Sequence, residues 1–147
     1  MEVRTSRDIS RPADEVFAFF ADASNNPRWQ QGMMSCRWSS EPPIAVGSTY
    51  DQRARFLGRD IVSSFVVTRF EPGRLIEIET VESTFPIQVT REVEPTGPES
   101  SRVKAHIRGG PEGFLRLLEP VMARSARKSI ESDYDRLVTV LESEISD

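Results

Sequence analysis

The chain has 147 residues, 37% hydrophobic and 29% charged, with a formal net charge of -4, a size and balance that fit one compact domain over residues 1–147. A mean hydropathy of -0.42 and apolar runs far short of the roughly 20 residues of a membrane helix exclude an integral membrane segment. The acidic balance lacks the basic footprint that holds phosphates, so nucleic acid is not an expected partner.

Val3, Thr5, Arg7 and Ile9 alternate with polar neighbours and predict a first strand ending near Ser10. Ser10-Arg11-Pro12 opens a helix with Asp14 and Glu15 in its first turn and Val16, Phe17, Phe19 and Phe20 as its apolar stripe. Ser24-Asn25-Asn26-Pro27 is turn chemistry, and Pro27-Arg28-Trp29 fits a second, very short helix. From Met33 to Arg108 short β-branched and aromatic runs alternate with Pro, Gly and Ser breaks, predicting strands near 33–39, 47–57, 60–70, 74–82, 85–93 and 102–108. Pro95-Thr96-Gly97-Pro98 is read among the turns. Beyond Gly109-Gly110-Pro111, apolar residues recur at helical spacing through Ile130, Tyr134, Leu137, Val138 and Leu141. One helix from about Glu112 to Glu144 is expected, kinked at Pro120 because proline removes a hydrogen bond there.

A strand, two short helices, six strands and a terminal helix give an α+β order with an antiparallel sheet. One cysteine and one histidine cannot furnish the ligands of a zinc site, so no metal is expected. Neither a Gly-x-Ser-x-Gly elbow nor a glycine-rich phosphate loop is present, and no cofactor is expected. Met1 to Ser6 lacks the apolar core of a secretory signal, which points to a cytoplasmic location. What these exclusions leave is a pocket protein, in which shape and a few polar groups act.

The motifs Ile9-x-x-Pro12-Ala13-x-x-Val16-Phe17, Asn26-Pro27-x-Trp29, Val46-Gly47, Phe70-Glu71-Pro72-x-Arg74, Glu94-Pro95 and Leu137-x-x-x-Leu141-Glu142 occur in that order along nearly the whole chain. Together they resemble the polyketide cyclase/dehydrase and lipid-transport branch of the START-like (SRPBCC) superfamily. The resemblance implies a helix-grip fold, a curved seven-stranded antiparallel sheet wrapped around a long C-terminal helix, with a cavity between them for apolar or aromatic small molecules. Family members include carriers, sensors and cyclases, so the fold supplies a binding expectation and the site must supply any chemistry.

Candidate ligand-binding residues follow from phase and residue type. Trp29 and Trp38 bracket the helical corner and offer rings for a pocket wall or for ordinary core packing. Tyr50, Gln52 and Phe56 oppose Asp51, Arg53 and Arg55, which assigns the first three inward. Arg7 and Arg91 each stand in an apolar phase, where an unpartnered guanidinium costs several kcal/mol. Each must reach water at an open end of the sheet, meet an acid such as Glu82, or bind an anionic ligand or enolate. Phe114, Leu118 and Met122, around Pro120, form either a lid or plain core. His106 is placed on the outer face, and Arg124, Arg127 and Lys128 with Glu131 and Asp133 on an exposed helix face.

Carriage or sensing of a small hydrophobic or aromatic molecule, lipid or polyketide-like, by a monomer or homodimer is therefore the leading expectation. The alternatives are a cyclase/dehydrase-type enzyme using Arg91, Tyr50 or Glu82 as catalytic groups, and a protein-interaction module.

Overall fold

The computed structural model describes residues 2–56, 58–82, 86–109 and 119–143, without the side chains of Phe56, Glu82, Glu119, Met122 and Ala123. Seven strands, β1 (Glu2–Ile9), β2 (Met33–Trp38), β3 (Thr49–Phe56), β4 (Arg59–Glu71), β5 (Leu75–Glu82), β6 (Ile87–Gly97) and β7 (Ser100–Gly109), form one antiparallel sheet. Its spatial order is β1-β7-β6-β5-β4-β3-β2. Consecutive strands from β2 onward are joined as neighbours, so the chain crosses the sheet between β1 and β2, which lie at opposite edges. Helix α1 (Ala13–Ala21), a 3₁₀ turn (Ala23–Asn25) and helix α2 (Asn26–Trp29) make that crossing. Helix α3 (Glu119–Ser143) fills the concave side. The expected α+β helix-grip architecture is the one observed.

Packing follows the sequence phases. Val16, Phe17, Phe19 and Phe20 of α1 are buried, with Phe17 edge-on to Phe20 at 5.3 Å between centroids. Along α3, Tyr134, Leu137 and Leu141 are buried and Ile130 packs partly against the same core, a spacing of three to four residues that keeps one stripe facing the sheet. The sheet answers with Val3, Ile9, Val67, Ile76, Ile78, Val89, Val93, Val103 and Ile107, all below 6% exposed. Gly47 is glycine for a reason: its φ of 95° lies in the left-handed region, and its N–H reaches the Val67 carbonyl at 2.8 Å.

One boundary differs from the expectation. Strand β6 continues through Pro95 to Gly97, past the point where the proline reads as a turn. Pairing explains the tolerance: Leu75, the first residue of β5, lies opposite Glu92, so at Pro95 the strand has a partner only in β7, through Ser101. The first turns of the long helix, with the expected lid residues Phe114 and Leu118, lie outside the described residues, as does the side chain of Met122.

Candidate functional site

A cavity of about 120 Å³ lies between the concave sheet and α3. Its apolar wall comes from Phe65, Ile78, Ile87, Val89 and Ile107 of the sheet and Ile130 of α3. The other end is polar and is built by three elements: Asn26, Trp29 and Gln30 at α2, Arg91 on β6, and Asp133 and Tyr134 on α3. Tyr50 and Gln52 of β3 complete the lining.

The register explains how Arg91 comes to lie inside. It pairs with Ile76 on one side and Ala105 on the other, so its side chain shares the inner face with Val89 and Val93. The residue is 8% exposed. Its guanidinium carbon sits 5.0 Å from the Trp29 ring centroid, and its Nε donates a 2.8 Å hydrogen bond to the Tyr134 hydroxyl. Among the described residues no carboxylate forms an ion pair with it. The suggested partner Glu82 is excluded by the backbone: Ile76, opposite Arg91, is six residues from Glu82 along β5, roughly 20 Å at about 3.3 Å per residue. A stacked, hydrogen-bonded but charge-unpaired cation therefore occupies the polar end.

Trp29 is wholly buried, edge-on to Tyr134 at 5.1 Å between centroids. Its Nε1, the Oδ1 of Asn26 and the Nε2 of Gln30 are buried with no hydrogen-bond partner among the described residues. Tyr50 stacks on Phe65 at 5.1 Å, and burial pushes its phenol well above the usual range, so it is a neutral hydroxyl at any physiological pH. Asp133 accepts the Gln31 N–H at 2.9 Å, and burial raises its carboxyl to about 6. Cys36, on β2 beside this end, has Sγ 3.8 Å from Gln52 Oε1, and burial pushes its thiol up to about 11. A group that titrates near neutrality, a fixed cation and several free donors and acceptors thus share one end of a mostly apolar space.

Several candidates lie elsewhere. Arg7 does not line this cavity: its Nε donates to Asp135 Oδ1 at 2.8 Å and one terminal nitrogen to the Glu131 carbonyl at 3.1 Å, pinning the edge strand β1 to α3. Its apolar phase in the sequence is accounted for by this half-buried clamp. Trp38 packs edge-on to Tyr50 and donates Nε1 to Asp22 Oδ1 at 2.8 Å, lining a separate hollow of about 240 Å³ with Ser24, Ile44 and Ser48. His106 is on the outer face as expected, with Nε2 3.2 Å from Glu2 Oε2. The side chain of Phe56 lies outside the described residues. A larger concavity, about 590 Å³, is an open groove beside β1, β7 and β6 lined by Arg4, Lys104, His106 and Glu92 among others. Its basic groups have acidic neighbours, Glu2 for Arg4 and Glu94 for Lys104, and among its lining residues Glu131 Oε1 is buried without a hydrogen-bond partner among the described residues.

Four cavity residues escape the sequence reading: Asn26, Gln30, Asp133 and Tyr134 as polar contacts. Asp133 is the instructive one, half-buried where an exposed charged face is expected. It stands three residues after Ile130 and four before Leu137, and that spacing puts it on the buried stripe.

Comparison with known proteins agrees with this architecture. The chain belongs to the polyketide cyclase/dehydrase and lipid transport family, whose sequence profile matches residues 1–142. Among solved structures it is similar to the protein TTHA0849 from Thermus thermophilus, with a TM-score of 0.84, 17% identity and 99% of each chain covered. The Zhui aromatase/cyclase from Streptomyces sp. R1128 gives a TM-score of 0.82 at 12% identity, covering 99% of this chain and 95% of that one. A START superfamily protein from Mycobacterium smegmatis gives 0.75 at 15% identity, covering 99% and 97%. These likenesses establish the fold. Comparison with curated proteins yielded no match.

Proposed function

We propose that the protein binds a small hydrophobic or aromatic molecule in the cavity between the sheet and α3, for carriage or sensing. The observation that carries this reading is the cavity itself: a space of about 120 Å³ with an apolar wall and, at one end, buried polar atoms with no partner among the described residues. Sparse, convergent polar groups on an apolar surface are the usual anatomy of a small-molecule site. Its volume is below the roughly 300–1,000 Å³ of drug-sized sites, and near the about 150 Å³ of an engineered apolar cavity that binds benzene. A single ring fits the described space, and a longer lipid requires it to widen.

Native mass spectrometry of the protein isolated gently from its own cells, with and without denaturation, is the test. A releasable small molecule supports the reading. An empty protein that also fails to take up added aromatic and lipid compounds overturns it.

A second reading, a cyclase/dehydrase-type enzyme, is favoured by Asp133, because a carboxyl near 6 beside a fixed cation suits proton transfer at neutral pH. It calls for turnover that Asp133→Asn abolishes while ligand affinity is kept. Equal turnover by the variant, or a bound compound that is released unchanged, leaves binding as the function.

A further inference from the structure

We infer that the ligand is a small aromatic or enolic acid, bound as its anion with the oxyanion at Arg91 and the ring against the Phe65–Val89 wall. The inference rests on the binding function proposed above and adds the chemistry of the ligand's polar end. Arg91 uses its Nε on Tyr134 and its face on Trp29. Of the five N–H groups of a guanidinium, the terminal ones, which form the fork that matches a carboxylate, have no acceptor among the described residues.

Two more buried donors without acceptors among the described residues, Trp29 Nε1 and Gln30 Nε2, line the same end, and so does one acceptor without a donor, Asn26 Oδ1. A carboxylate offers about four lone-pair sites and no donor, which suits a corner where unmet donors predominate. A hydroxyl or enol proton next to it on the ring suits Asn26 Oδ1. A neutral apolar ligand would satisfy none of these atoms and would strand them away from water, at a cost that selects against it. The size of the cavity favours one ring over a long chain.

Among the described residues Asp133 is the one acid at this end. Its carboxylate takes the Gln31 N–H and is not in ion-pair contact with Arg91. While charged it offsets part of the attraction of Arg91 for an anion. The groups acting on it are Arg91 from β6 and Arg136 from its own helix, both permanently cationic, and the Gln31 N–H from the α2–β2 connection. Tyr50 of β3 and Cys36 of β2 stay neutral, pushed up by burial. Protonation of Asp133 below about pH 6 therefore strengthens anion binding.

The experiment is titration of the full chain by NMR with benzoate and with benzamide, a neutral molecule of nearly the same shape, at pH 5.5 and 7.5. Methyl shifts of Ile78, Val89 and Ile107 locate the binding. Benzoate is expected to bind at least tenfold more tightly than benzamide at pH 5.5, with a smaller preference at pH 7.5. The preference should vanish in Arg91→Met and shrink in Gln30→Leu, whose side chain is only half-buried. Equal binding of the two probes overturns the anion and leaves the cavity as a binding site. Benzoate preferred equally by both variants overturns the assignment to Arg91. Failure of both probes to perturb the cavity methyls overturns the single-ring acid, while a releasable hydrophobic molecule in the mass spectrum would still uphold binding.

Discussion

Asp133→Asn is expected to stabilise the protein near neutral pH and to leave its stability unchanged in acid. Burial lifts the carboxyl from 3.8 to about 6, so the folded state holds a proton that the unfolded chain releases. The sign follows directly: the wild type has its full stability below about pH 4, and loses part of it as the pH rises through about 6. A rise of about two pH units corresponds to up to about 3 kcal/mol. Partial exposure of the group to solvent reduces this to about 1–2 kcal/mol. Asparagine keeps an oxygen for the Gln31 N–H, so the substitution removes the charge without orphaning that donor. Urea unfolding of both proteins at pH 4, 5, 6 and 7.5 measures the difference. It should be near zero at pH 4, grow between 4 and 6, and level off by 7.5. A variant less stable than wild type at pH 7.5, or a difference that does not change with pH, refutes the argument.

Arg91→Met should leave stability within about 1 kcal/mol of wild type or raise it, since an apolar side chain replaces a buried cation that has no carboxylate partner; a loss above about 3 kcal/mol in the same urea assay contradicts that description. Leu137→Ala, at a position with 0% exposure on the α3 stripe, should cost about 2–5 kcal/mol by denaturant unfolding. Asp22→Ala should cost about 1–2 kcal/mol, because Asp22 caps the 3₁₀ turn through Ser24 and takes the Trp38 indole N–H at 2.8 Å; burial opposes its ionisation, but the Ser24 and Trp38 hydrogen bonds prevail and hold the carboxyl below its usual range. Gly109→Ala should lower the melting temperature, because φ is 143° there and an added Cβ would come within 2.8 Å of Ile87 Cα.

The strands and helices were legible in the sequence because each has one dry face, and a dry face leaves a period. Tyr50 and Gln52 could be turned inward from Asp51, Arg53 and Arg55 alone, and both line the cavity. The fate of the two misplaced arginines could not be read the same way. Arg7 and Arg91 look alike as cations in an apolar phase. They differ because Arg7 is on an edge strand, within reach of Asp135, while Arg91 is on β6, with Ile76 and Ala105 paired on either side. Strand order, a non-local property, separates the clamp from the cavity cation. Asp133 was misread for a local reason: in a helix rich in Arg, Lys, Glu and Asp, composition outweighed the spacing from Ile130 to Leu137 that puts it on the buried stripe.

The polar end of the cavity sets folding against binding. A domain stable by about 5–15 kcal/mol holds there a cation, a carboxyl lifted by burial, and polar atoms on Asn26, Trp29 and Gln30, with no counter-ion for the first and no partners for the last among the described residues. Each opposes folding, a buried orphan polar atom by about 1–3 kcal/mol when no water reaches it. Met or Leu at position 91 would pack against Trp29 and Tyr134 without that penalty. The rest of the inner face shows that the sheet builds such packing readily, from Ile76 and Ile78 to Val103 and Ile107, each 5% exposed or less. Nothing in the strand pairing around Ile76, Arg91 and Ala105 requires a guanidinium, since the ladder is made by backbone. What the guanidinium and its neighbours add is a set of fixed donors in a space of low polarity, where an arriving oxyanion finds them already oriented. The stability given up at this end is then recovered as affinity when the ligand binds, so a cognate acid should raise the melting temperature of the wild type far more than that of Arg91→Met.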